Sequence, residues 1–177
     1  LKTDNSCLLQ KRMIRRIALK KSINNNILDL YHGDGICWQG IDNINVSGID
    51  KKITKDGVKA DAIKMIKSLD LSRYGIIDVD CYGIPYKTIK QLFDNSTIKN
   101  DTIIIYTFIQ SIYGSSGKLL LQLGITKKQI EMIPTIFRKF AFIAFEQFLL
   151  VNNIKKHYIV QVNENKRYGY FKYKKRS

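Results

Sequence analysis

Residues 27–35 read ILDLYHGDG. Ile27, Leu28 and Leu30 form a short apolar run, and the chain then turns abruptly to Gly33, Asp34 and Gly35. Following the Asn cluster at 24–26, the run predicts a buried strand, and the glycines predict a tight turn at its carboxyl end. Asp29 lies inside the strand. In open α/β sheets ligands bind at that edge, where glycine lets a ligand approach the backbone closely. One G-x-G pair does not decide between an ordinary strand-and-turn and a cofactor cradle. The nicotinamide fingerprint needs a third glycine where this chain has Trp38. The decision rests on what the rest of the chain places around this turn.

The chain reads as alternating short apolar runs and helix-like segments, which predicts an α/β domain with a mainly parallel sheet. Segment 8–22 places Leu9, Met13 and Ile17 at helical spacing and predicts an amphipathic helix with a basic outer face. Strands are expected at 45–50 (NVSGID), 57–60, 74–80 (YGIIDVD) and 101–109 (DTIIIYTFI), with helices over DAIKMIKSL and PYKTIKQLF. Pro85 belongs in the first turn of the second of these helices, where a missing N–H costs little. Thr126 is a plausible N-cap for one long helix over 126–151. KHYIVQV and YGYFKYK, separated by NENKR, predict a terminal hairpin. The seventh strand then pairs with the sixth through a short turn and runs antiparallel to it. One reversed strand near the C-terminus of a parallel sheet is the resulting expectation.

With 177 residues, 45% hydrophobic, the chain suits a single domain, 1–177, with one core. No apolar run approaches the roughly 20 residues that span a bilayer. Cys7, Cys37 and Cys81 are scattered, and only His32 and His157 could join them, so no metal site is expected and a reduced, cytoplasmic setting is. The net charge of +15 is concentrated at the ends: residues 1–21 contribute +6 and residues 155–177 contribute +7. A near-neutral body between a basic N-terminal helix (1–22) and a basic C-terminal hairpin (155–177) predicts a small-molecule site flanked by polyanion-binding surface, with nucleic acid as the partner. Solubilising lysines are the plainer alternative. Nothing here fixes an oligomeric state.

The acids downstream give the opening stretch its context. Asp50 ends the second strand, about 20 residues after Asp29, where a carboxylate accepts hydrogen bonds from both hydroxyls of a ribose. Asp61 follows the third strand, with Ala62 next to it; a carboxylate there can hold an exocyclic adenine amine, with a backbone N–H on the ring nitrogen. Alone, Asp61 also reads as a helix N-cap. With ILDLYHGDG as first motif, GID (48–50) as second, KADAI (59–63) as third and DVDCYG (78–83) as fourth, the chain resembles the class I S-adenosylmethionine-dependent methyltransferases over nearly its whole length. The resemblance implies their Rossmann-like fold: a seven-stranded, mainly parallel sheet with an antiparallel last strand and helices on both faces. It implies S-adenosyl-L-methionine as cofactor. Asp29, Gly33 and Gly35 would hold its methionine end, Asp50 its ribose, and Asp61 with Ala62 its adenine. Tyr31 and Asp78 count with these cofactor-binding residues. The gap from Gly35 to Asp50 is short for a crossover helix.

The fourth motif bears on the substrate. IIDVDCYGIP spans Asp78, Asp80, Tyr82, Gly83 and Pro85 and is similar to the D-x-D-P-[FY]-G-x-P segment of the tRNA guanine-N2 dimethyltransferases, with Cys81 in place of the family's proline. Methyl transfer from a sulfonium is an in-line displacement in which positioning does most of the work. An attacking exocyclic amine becomes positive, so Asp80 would accept its N–H hydrogens and stabilise that charge. Tyr82 would stack on an extruded base. The plainer alternative has Asp80 capping the helix near Pro85 and Tyr82 in the core. The Gly/Ser-rich segment 107–118, with Tyr113 and Lys118, would overhang the acceptor pocket; it is not a Walker loop, because its glycine spacing fails. RYGYFKYKKR interleaves aromatics and cations, which suits either stacking on bases or an edge hairpin guarded by lysine. The expected function is methyl transfer to nucleic acid, at an exocyclic base amine in RNA, with Asp80 and Tyr82 at the acceptor. A DNA methyltransferase and a non-catalytic nucleic-acid-binding module are the alternatives.

Overall fold

The computed structural model describes residues 7–52, 56–110, 121, 126–133 and 136–175, with side chains from 140 onward in the last stretch. Seven strands form one sheet: β1 (Asn26–Asp29), β2 (Asn45–Asp50), β3 (Gly57–Lys59), β4 (Ile76–Val79), β5 (Ile103–Ile109), β6 (His157–Asn163) and β7 (Lys166–Lys172). Their order is β3-β2-β1-β4-β5-β7-β6. Pairs from β3 to β5 are parallel, and β7 runs antiparallel to both β5 and β6. So β6 points with the first five strands, and β7 alone is reversed and inserted between β5 and β6. A hairpin turn at Glu164 and Asn165 forces the reversal.

The buried strands β4 and β5 carry apolar side chains on both faces because helices cover both. On one face α1 (Leu8–Leu19) packs Ile14 and Ala18 against Ile27, Ile76, Ile103, Ile105, Tyr168 and Tyr170. On the other, α2 (Ala62–Ile66), α3 (Tyr86–Phe93) and α5 (Ile136–Val151) enclose Leu28, Leu30, Ile77, Val79, Ile104, Tyr106 and Phe108. A short α4 (Lys127–Met132) precedes α5. No helix among the described residues is long and apolar enough to cross a membrane.

Four details depart from the sequence expectations. The helix expected over 126–151 is two helices. Thr126 does cap the first, through a reciprocal box with Gln129. Ile133 then leaves the helix at φ −131°, ψ 73°, as the residue before a proline must. Pro85 sits one place before α3 rather than inside it. The closing hairpin has a shorter turn than the expected NENKR: only Glu164 and Asn165 turn, Asn163 ends β6, and Lys166 and Arg167 join β7. Finally, α1 is rotated. It buries Lys11, Ile14, Arg15 and Ala18, while Leu9 is 78% exposed and Met13 41%. No helix fills the crossover 30–44; turns carry it, and Trp38, 4% exposed, packs there into the α1 layer.

Candidate active site

The carboxyl ends of β2, β1, β4 and β5 lie side by side, about 4.8 Å from strand to strand. At the end of β1, Asp29 accepts from the Tyr31 N–H (3.2 Å) and meets His32 Nδ1 at 3.2 Å. Gly33 and Gly35 adopt left-handed φ of 54° and 68°. The Gly33 N–H donates to Asp50 Oδ2 at 2.9 Å, and the Lys52 N–H to Asp50 Oδ1 at 2.9 Å. The glycine turn and the β2 acid are therefore in direct contact, although 17 residues separate them. Asp61 caps α2, its Oδ1 accepting from the N–H groups of Ile63 (3.0 Å) and Lys64 (3.2 Å). Its Oδ2 meets Lys51 Nζ at 3.0 Å, and that contact foremost holds its carboxyl below the usual range. Ala62 opens α2, among the first-turn N–H groups that have no partner within a helix. The Tyr31 hydroxyl meets Thr88 Oγ1 of α3 at 2.6 Å, and burial raises its pKa to about 12.

His32 occupies the space on which the glycines open. A Cβ added to Gly48 of β2 would fall 2.5 Å from its ring, and one added to Gly35 would fall 2.9 Å away. Both distances are far inside van der Waals contact. Gly35 was expected to line the floor of a ligand site; here the imidazole fills that side of it. The hydrogen bond to Asp29 leads in raising the His32 pKa, against the opposing effect of burial.

Asp78 and Asp80 point toward α1, on the same face as Asp29. Arg15 Nε donates to Asp78 Oδ2 at 2.7 Å, and Trp38 Nε1 donates to the same oxygen at 3.0 Å. Lys11 Nζ reaches Asp80 Oδ2 at 2.7 Å, Arg15 Nη2 reaches it at 3.2 Å, and Cys37 Sγ lies 3.7 Å away. Thr107 Oγ1 of β5 donates to Asp80 Oδ1 at 2.5 Å. Burial is the largest influence on both carboxylates. At Asp78 it prevails and pushes the pKa up to about 7, although Arg15 opposes it. Asp78 Oδ1 has no hydrogen-bond partner among the described residues, so Arg15 and Trp38 hold this side chain through Oδ2 alone. At Asp80 the combined pull of Arg15, Lys11 and Thr107 wins, and the pKa falls. Burial likewise pushes the Cys37 and Cys81 thiols up to about 12, so neither is a ready nucleophile.

These positions correct several expectations. Asp78, fully buried, binds a helix from inside the fold and is not presented to a ligand. Asp29 organises the turn rather than facing outward. Asp80 does not cap α3. Tyr82 is not in the core but 76% exposed, beside Gly83 at φ 105°. Tyr168, Tyr170, Phe171 and Tyr173 are buried, so the closing hairpin offers none of them for stacking on bases. Segment 107–118 is described only as far as 110, so Tyr113 and Lys118 lie outside the described residues.

Sequence reasoning missed Lys11, Arg15, Trp38 and Thr107 as partners of the acids. One signal was there. Lys11, Ile14, Arg15 and Ala18 follow the i, i+3, i+4, i+7 rhythm of a buried face, and two acids sit in an otherwise apolar strand. Buried acids need cations.

No protein-family model matches the sequence, and no curated protein matches it. Solved structures do resemble it in fold. A candidate methyltransferase from Escherichia coli superimposes at TM-score 0.56, with 12% identity over 99% of this chain and 89% of that one. A SAM-dependent methyltransferase from Archaeoglobus fulgidus gives 0.52, with 15% identity over 93% of each chain. The plantazolicin methyltransferase BamL, solved with SAH, gives 0.53, with 10% identity over 94% of this chain and 84% of that one. Identities this low carry the architecture and leave function to the site. The chain has the Rossmann-like fold of these methyltransferase structures, with a seven-stranded sheet in which one strand is reversed.

Proposed function

We propose that the chain is an S-adenosylmethionine-dependent methyltransferase that acts on nucleic acid, at an exocyclic base amine and in RNA before DNA. The observation that carries this reading is the contact between Gly33 and Asp50, which sets a left-handed glycine turn beside a strand-end carboxylate at the carboxyl edge. A nucleoside with a cationic side chain fits such an edge. Asp50 would take the ribose hydroxyls, since each carboxylate oxygen has a second lone pair beyond its backbone contact. Asp61 and the Ala62 N–H would meet the adenine. The turn at Tyr31–Gly33, braced by Asp29, would receive the methionine end. The bound cofactor supplies an electrophilic sulfonium methyl. The chain's own residues hold the acceptor in line with it. Asp80 Oδ1 accepts an amine N–H and stabilises the charge that develops on nitrogen. Tyr82, exposed just beyond the end of β4, would offer a ring face to the base.

The charge supports a polyanionic partner. Exposed Lys20, Lys21, Lys155, Lys156, Lys172 and Lys174 all belong to the amino edge of the sheet, opposite the acceptor residues. A cavity of about 200 Å³ lined in part by Lys174 and Lys175 opens there. β5 has seven residues, so the two edges stand about 23 Å apart, a span that a folded RNA can bridge. The body of the nucleic acid would rest on the amino edge while one base reaches round to Tyr82.

Transfer of labelled methyl from S-adenosylmethionine into RNA, DNA and protein tests the proposal. RNA should take the label, and Asp80→Ala should keep cofactor binding while transfer falls at least about a hundredfold. Label confined to protein, or full activity in Asp80→Ala, would sink it. A second reading, a nucleic-acid-binding module without catalysis, is favoured by the donors from within the chain that already meet Asp80 and Asp61. Such a module would bind RNA with strong salt dependence, yet show no rise in melting temperature with S-adenosylhomocysteine.

A further inference from the structure

We propose that Lys11 is a positioning residue for methyl transfer: it holds the Asp80 carboxylate turned so that Oδ1, and not Oδ2, is left for the incoming amine. This inference rests on the acceptor role assigned to Asp80 above. The two oxygens are used unequally. Oδ2 gathers Lys11 Nζ at 2.7 Å, Arg15 Nη2 at 3.2 Å and Cys37 Sγ at 3.7 Å, while among the described residues Thr107 alone donates to Oδ1. Each oxygen accepts about two good hydrogen bonds. Oδ2 is saturated, and Oδ1 keeps capacity for one more. The asymmetry aims the carboxylate.

Lys11 does this more than Arg15 does. Arg15 is committed to Asp78 at 2.7 Å and touches Asp80 at the longer distance. Lys11 is itself only 5% exposed, so its ammonium has given up most of its water. Folding alone does not call for such a pair, because a buried ion pair replaced by apolar side chains of similar size is often neutral or stabilising. Arg15 with Asp78 already fastens α1 to β4. The second pair, one turn nearer the carboxyl edge, adds a charge where Asp80 meets the acceptor. Desolvation alone would raise the pKa of Asp80. With Lys11 in place the carboxylate stays ionised and able only to accept, as an amine donor requires.

The test compares Lys11→Met, Lys11→Gln and Lys11→Arg with wild type in three measurements: S-adenosylhomocysteine affinity by calorimetry, Asp80 ionisation by carboxyl carbon NMR, and methyl transfer against pH. In Lys11→Met and Lys11→Gln the affinity should be unchanged. Asp80 should ionise at higher pH, and the acid limb of the transfer profile should move up by about one pH unit, a loss of about tenfold on that limb. Lys11→Arg should restore the limb. Lys11→Gln keeps a donor at Oδ2, so it serves if Lys11→Met does not fold. An unmoved acid limb overturns the proposal, as does a uniform loss at every pH that Lys11→Arg does not rescue. A wild-type chain that binds no S-adenosylhomocysteine overturns the cofactor reading and this inference together. Normal binding with Lys11 variants that transfer like wild type overturns only the part given to Lys11.

Discussion

Gly48 has no side chain because the His32 ring lies where one would be. Gly48→Ala would set a methyl 2.5 Å from the imidazole, which is held in place by Asp29. Overpacking of this kind costs about 1–3 kcal/mol. Denaturant unfolding should show that loss, and His32→Ala in the same chain should recover most of it, since contacting residues are not additive. If Gly48→Ala is neutral, the wedge is not real. His32 also makes a pH prediction. Its hydrogen bond to Asp29 raises its folded pKa above the unfolded value of about 6.5. The charged ring therefore stabilises the fold fully below that value, and the contribution disappears as pH rises through the folded pKa. Proton NMR of the ring should place its midpoint above about 6.5; a lower midpoint contradicts the pairing. The wedge was not legible locally: ILDLYHGDG holds His32 and its partner Asp29, but Gly48, against which the ring packs, sits on the next strand.

Helix α1 has an inside that composition disguises. Leu9, Met13 and Ile17 gave a plausible apolar stripe, yet the buried face holds Lys11 and Arg15. Periodicity was readable and its phase was not, because the phase depends on acids that arrive more than 60 residues later. Arg15→Met should cost about 3–5 kcal/mol, since it strands the Asp78 carboxylate beneath the helix. Leu9→Lys, on the exposed side, should stay within about 0.5 kcal/mol. Unfolding curves compared at one pH check both, and the reverse order would mean that the helix is phased as the apolar stripe implied. The helix expected over 126–151 failed for a reason already in the sequence. Pro134 constrains Ile133, and a long apolar stretch hid that interruption.

At the scale of the molecule, strand number, direction and the single reversal were readable, because β-branched runs and a short final turn leave few topologies open. The candidate site was readable in part. Asp50 and Gly33 meet as the order of strand-end acids implied, whereas Asp29 and Asp78 turned out to serve the interior. Burial separates these two pairs, and burial is a property of the packed sheet rather than of any one motif. The charge is likewise rearranged by folding: much of the basic character of the two ends gathers at the amino edge, and Lys11, Arg15 and Lys166 are withdrawn from the surface. The proposed function requires a nucleoside site at the carboxyl edge, with Asp50 at its ribose. Calorimetry with S-adenosylhomocysteine on wild type and Asp50→Ala tests this most directly. Saturable one-to-one binding by the wild type is expected, weakened by at least about a hundredfold in Asp50→Ala, where the ribose loses a charged hydrogen-bond partner worth about 3 kcal/mol. No binding by the wild type, or equal affinity in Asp50→Ala, would contradict it.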